Sequence, residues 1–220
     1  MKVKICGVRT IDAALSATEA GADFLGFNFA PVSKRRVERD IARRAIDACR
    51  ERPKPPRMAG VFVNQPLAEV AEIAREAGLD YVQLSGDEDA DYCVGVAARA
   101  QRPLIKAVRL AEPGAHERIE TVSGRADILL ADSTVPGSYG GSGQPWRWQD
   151  AQALTARYDV LLAGGLTPEN VADAIGAARP WGVDVASGVE TSGQTDPEKV
   201  RAFIKQVRAY ERHEHSHTSS

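Results

Sequence analysis

Three features of this 220-residue chain predict an α/β fold built on parallel strands. Eight short, nearly continuous apolar runs recur along it, Ala-, Glu- and Arg-rich stretches of helical composition separate them, and no linker or composition break divides the series. Strands that are apolar at successive positions are buried on both faces, as in a parallel sheet covered by helices. Two closures satisfy the pattern, a single (β/α)8 TIM barrel and an open doubly wound sheet. Eight similar units favour the barrel.

The runs are Val3-Lys4-Ile5-Cys6, Phe24-Leu25-Gly26-Phe27, Met58 to Val63, Tyr81-Val82-Gln83-Leu84, Leu104 to Val108, Ile128 to Ala131, Val160 to Ala163 and Val183 to Ala186. Helical composition is clearest over 38–51, 66–77, 88–100 and 197–210. Thr167-Pro168-Glu169 and Asp196-Pro197-Glu198 each offer a capping side chain followed by proline at a first helical position. Gly21 and Gly78 stand where a helix ends in a left-handed residue. The barrel domain is expected over 1–210, and the polar stretch 211–220 is expected to be a disordered tail.

Composition narrows the function. Basic and acidic residues number 28 and 30, a net charge of −2, which argues against a broad nucleic-acid surface. No apolar stretch approaches the ~18 residues of a membrane span, and the first residues lack the apolar core of a secretory signal. Three widely spaced cysteines, Cys6, Cys49 and Cys93, give no disulfide framework and no metal-binding pair. A cytoplasmic protein without nucleic-acid or membrane partners is expected. Of four histidines, His213, His215 and His217 crowd the C-terminus and His116 alone lies in the body of the chain. Acid–base chemistry therefore falls to carboxylates, cysteine or lysine.

A (β/α)8 barrel carries its active site at the C-terminal strand ends. The residues following each run are Cys6-Gly7, the loop with Ser33-Lys34-Arg35, Asn64, Ser85-Gly86, Asp132 with a glycine-rich loop to Gly143, Gly164-Gly165 and Ser187-Gly188. The glycines after runs seven and eight suit a phosphate, because bare backbone N–H groups let it approach closely; they equally suit any turn that needs positive φ. Cys6 reads as a general base, a nucleophile or a small buried apolar group. Asp132 reads as a loop cap or, with a raised pKa, as a general acid. Strand parity puts Lys4 with Cys6, Gln83 with Ser85, and Leu130 with Asp132 on common faces. Lys4, Lys106 and Asp184 are charges inside apolar runs, and an internal ion-pair network is the favoured reading of the two lysines. Arg35 becomes a carboxylate clamp if its loop folds over the mouth.

Taken together, these motifs resemble the phosphoribosylanthranilate isomerase family over about residues 2–207. The resemblance rests on Lys4-Ile5-Cys6-Gly7, Ser33-Lys34-Arg35, Gly60 to Asn64, Val82-Gln83-Leu84, Gly140-Gly141-Ser142-Gly143 with Trp148 after it, Ala163 to Val171, and Val183 to Glu190. It implies a (β/α)8 barrel, no cofactor or metal, and an Amadori rearrangement of a small phosphosugar, N-(5-phosphoribosyl)anthranilate, in tryptophan biosynthesis. It further implies Cys6 as general base, Asp132 as general acid and Arg35 on the anthranilate carboxylate. Substrate contacts are expected from Gln83, Ser85, Gly141, Gly164, Gly165, Asp184, Ser187 and Gly188, in a monomer or homodimer. One departure stands out: where the family usually has histidine after Gln-Leu, this chain has Ser85, which donates a hydrogen bond but does not titrate near neutrality. The sister histidine-pathway isomerase resembles the chain in fold but uses an aspartate where Cys6 stands. Indole-glycerol-phosphate synthase would need an extra N-terminal segment and a lysine–glutamate set not found here. A non-catalytic phosphosugar-binding barrel would have lost Cys6 or Asp132.

Overall fold

In a computed structural model the chain is described over residues 1–110, 115–132 and 148–217. The strands are β1 (Lys2–Cys6), β2 (Phe24–Asn28), β3 (Arg57–Phe62), β4 (Tyr81–Leu84), β5 (Leu104–Arg109), β6 (Ile128–Asp132), β7 (Val160–Leu162) and β8 (Gly182–Val185). All pair in parallel, and β1 closes on β8 through Lys2↔Gly182 to Ile5↔Val185, so the sheet is a closed barrel and not an open one. Helices α1 (Ile11–Ala20), α2 (Arg39–Arg50), α3 (Leu67–Ala77), α4 (Ala90–Ala100), α5 (Ala115–Ser123), α6 (Gln152–Thr155), α7 (Val171–Ala178) and α8 (Pro197–His217) link or follow them.

Local sequence sets the helix limits. Thr10 accepts the Ala13 N–H at the start of α1, and Asp89 accepts that of Tyr92 at the start of α4. Gly21 and Gly78 end α1 and α3 at φ +92° and +70°, as expected. Along α2 the buried residues are Ala42, Ala45, Ile46 and Cys49, a 3–4 spacing that lays one stripe on the barrel wall. Asp196 takes the N–H groups of Glu198 and Lys199, so α8 begins at Pro197 as its sequence predicts.

One helix start is corrected. Thr167 Oγ1 accepts the Glu169 N–H and the Thr167 carbonyl accepts the Val171 N–H, as a cap does, but residues 168–170 form a turn and α7 begins at Val171, not at Pro168. α8 continues from Glu211 to His217, over part of the stretch expected to be a polar tail. Glu211 is tied there by the Met1 ammonium and by Arg208, whose Nη1 also donates to the Met1 carbonyl. Among the described residues no helix is long and apolar enough to cross a membrane.

The barrel interior is filled from below. Phe24, Tyr81 and Trp181 interlock edge to face, with ring centroids 5.4 and 6.0 Å apart. Ala59, Ile105, Ile128, Leu130 and Leu161 pack around them. This plug closes the N-terminal end and leaves the interior open at the C-terminal end.

Candidate active site

A cavity of about 300 Å³ occupies that open end. Cys6, Gln83, Ser85, Asp132 and Asp184 contribute from strand ends, and Arg35, Gly164, Gly165 and Ser187 from the following loops. Parity is the reason they meet: alternate residues of a strand share a face, so the inward positions of β1, β4 and β6 deliver Cys6, Ser85 and Asp132 to one space.

Cys6 is partly exposed, whereas Cys49 and Cys93 are buried. Behind it Lys4 is fully buried, with Nζ 2.8 Å from Asp184 Oδ1. Burial pushes the Cys6 thiol above its ordinary pKa; the Lys4 ammonium pulls it down and the Asp184 carboxylate pushes it up. For Lys4 burial acts to lower the pKa, but Asp184 and Cys6 outweigh it and hold the ammonium above its ordinary range. The internal ion-pair reading of Lys4 is therefore met by Asp184.

The loop after β2 folds over the mouth, as a clamp requires. Arg35 lies across Gly7, where φ is +80° and an added Cβ would collide with the arginine side chain. Its Nε and Nη2 donate to Glu190 Oε1 and Oε2 at 2.6 and 2.7 Å. This fork raises the Arg35 pKa and holds the Glu190 carboxyl below the usual range. Glu190 sits on β9 (Glu190–Thr191), which pairs with β10 (Gln194–Thr195) in a short hairpin beside the mouth.

On the opposite wall Gln83 Nε2 donates to Ser85 Oγ at 3.0 Å. The Gln83 Oε1 atom is buried without a hydrogen-bond partner among the described residues. Arg109 also lines the cavity and is held by the Asp87 carboxylate at 3.0 Å and the Ser85 carbonyl at 3.3 Å. Its register partner on β6 is Asp132.

After β7, Gly164 and Gly165 take φ of +92° and +67°, and nothing stands where a Gly165 Cβ would be. The turn reading of this pair is met by positive φ at both residues. Gly188 is placed differently. It is not among the residues lining the cavity, and a Cβ there would collide with the Leu166 carbonyl oxygen, so the close approach of the loops after β7 and β8 requires glycine at this position. Gly141 lies outside the described residues. Sequence reasoning missed Arg109 and the Arg35–Glu190 pair. The charge of Arg109 at the end of an apolar run was a visible signal; a partner 155 residues away was not.

A closed parallel barrel with a thiol and carboxyl groups gathered at its C-terminal mouth has the architecture of a TIM-barrel enzyme. The model of N-(5′-phosphoribosyl)anthranilate (PRA) isomerase matches residues 3–206. The chain belongs to this family, the isomerases of tryptophan biosynthesis. The Roseiflexus castenholzii N-(5′-phosphoribosyl)anthranilate isomerase is 49% identical over 215 residues, 95% of this chain and 99% of that protein. The solved phosphoribosyl anthranilate isomerase of Thermotoga maritima superposes with a TM-score of 0.83 at 37% identity, covering 95% and 99% of the two chains. A further isomerase structure, in complex with reduced 1-(o-carboxyphenylamino)-1-deoxyribulose 5-phosphate, has a TM-score of 0.80 at 34% identity, with the same coverage.

Proposed function

We propose that the cavity binds N-(5-phosphoribosyl)anthranilate and that Asp132 and Cys6 divide its rearrangement. The observation that carries this is the convergence of a carboxyl group from β6 and a thiol from β1 on one cavity. Asp132, protonated, gives its proton to the ribose ring oxygen; the C1′–O bond breaks and the anthranilate nitrogen becomes a cationic Schiff base. Cys6, as thiolate, removes the C2′ proton, and the electron pair moves to neutralise the nitrogen. The resulting enolamine tautomerises to the 1-deoxyribulose ketone. One group must begin protonated and the other deprotonated, which different environments on separate strands permit.

The remaining groups bind and orient. Arg35, with Nε and Nη2 engaged by Glu190, turns its remaining N–H groups to the anthranilate carboxylate. Gly164, Gly165 and the loop carrying Ser187 receive the phosphate. Gln83, Ser85 and Asp184 address the sugar and amine, and Gly141 belongs to the same reading. Purified protein given freshly made phosphoribosylanthranilate should quench its anthranilate-type fluorescence at a rate proportional to enzyme. Persistent fluorescence would overturn the proposal.

A further inference from the structure

We propose that Lys4 is a positioning residue for this reaction: its buried ammonium is the cation that offsets the burial of the Cys6 sulfur and so eases formation of its thiolate, and Asp184 competes with the sulfur for it. The inference deepens the reading of Cys6 as the base and rests on it.

Lys4 has no exposure and does not line the cavity, so it acts on substrate only through a neighbour. Its neighbours are set by register. Lys4 pairs with Asp184 across β1–β8, and Cys6 pairs with Gly26 across β1–β2. Gly26 is the key to the geometry. A Cβ at this position would stand 2.8 Å from Cys6 Sγ and 3.0 Å from Lys4 Nζ. The ammonium and the sulfur thus converge over one bare backbone site, in space that any side chain at position 26 would occupy. An ammonium carries three donors and no acceptor; one reaches Asp184 Oδ1 at 2.8 Å, and the sulfur stands close by over the same Gly26 backbone.

A buried ion pair is weak evidence for stability, since apolar residues of similar volume serve as well. A cation beside a nucleophilic or basic thiol has a specific effect: it favours the thiolate. The charged groups facing Cys6 are Lys4 from its own strand, Asp184 from β8 and Arg35 from the loop after β2, the last already paired with Glu190. Lys4 and Asp184 act on the thiol with opposite sign, and that opposition is a signature a purely structural role would lack.

The test is the pH dependence of iodoacetamide alkylation of intact protein, read at Cys6 by peptide-resolved mass spectrometry. Lys4→Met should raise the Cys6 midpoint by about one unit or more, slowing alkylation at neutral pH roughly tenfold. Asp184→Asn should lower it. If Lys4→Met does not fold, because Asp184 is left unpaired, the Lys4→Met/Asp184→Asn double variant carries the test, with a midpoint above that of Asp184→Asn alone. A midpoint unmoved between the folded lysine-to-methionine variant and its parent overturns the proposal, even if kcat falls. Full turnover by Cys6→Ala would overturn the base assignment while leaving the titration result to stand on its own.

Discussion

Two lysines interrupt apolar strands, Lys4 on β1 and Lys106 on β5, and each meets a carboxylate at 2.8 Å. Their surroundings differ because strand parity turns them to opposite faces of the barrel wall. Lys4 points inward and stands behind Cys6. Lys106 points outward toward the helices, where Nζ donates to Glu88 Oε2 and to the Gly86 carbonyl. Glu88 in turn accepts the backbone N–H groups of Asn64 and Gly86. The outward pair thus splints the loops after β3 and β4, while the inward pair shapes a thiol. The same ion pair is architectural on one face of a strand and chemical on the other.

The sharpest way to test that division is at the inward face. Cys6→Ala and Asp132→Asn should each lower kcat at least ~10²-fold, the scale of a lost general acid or base, with melting temperatures near wild type. Near-normal turnover would remove that residue from its role. On the outward face, Lys106→Met strands the buried Glu88 carboxylate and should cost about 3 kcal/mol in chemical denaturation, with kcat/KM reduced far less than by the inward changes. Stability that does not fall would mean the backbone donors alone satisfy Glu88.

The Arg35–Glu190 fork lies between the two cases and gives a pH signature. The fork depresses the Glu190 pKa in the folded state, so its stabilisation is full above the ordinary glutamate value and is lost as pH falls through the depressed one. The melting-temperature gap between wild type and Glu190→Gln should therefore be widest near pH 7 and close on acidification. A gap constant with pH would show that the fork contributes no charge-linked stability. The smallest effect is expected at Ser85→His, which restores the residue usual in the family and should leave turnover within a few fold. An inactive, folded variant would show that the Gln83–Ser85 contact has been built around the smaller side chain.

Much of this comparison was legible in the sequence. The run Tyr81–Leu84 is β4 residue for residue, and the other seven runs fall within a residue or so of their strands. Burial on both faces of a parallel sheet leaves a local mark in every strand. Parity grouped Gln83 with Ser85, and position at the strand ends placed Cys6 and Asp132 at the mouth, where all four line the cavity. What escaped notice depends on closure. The contact of Arg35 with Glu190 joins residues 155 apart and leaves no local mark, whereas Lys4 and Asp184 each stand out as charges inside apolar runs and only their pairing needs closure. Thr167-Pro168-Glu169 gave the cap but not the start, since Thr167 Oγ1 takes the Glu169 N–H while a turn over residues 168–170 precedes α7.

Closing β1 on β8 has one more consequence, for engineering. The Met1 ammonium meets Glu211, and Arg208 joins the Met1 carbonyl and Asp23 at the plugged end of the barrel. The chain's beginning and the body of its last helix are therefore already neighbours. A short peptide joining them, with new ends opened in another loop on the same face, should give a circularly permuted enzyme whose mouth is unchanged.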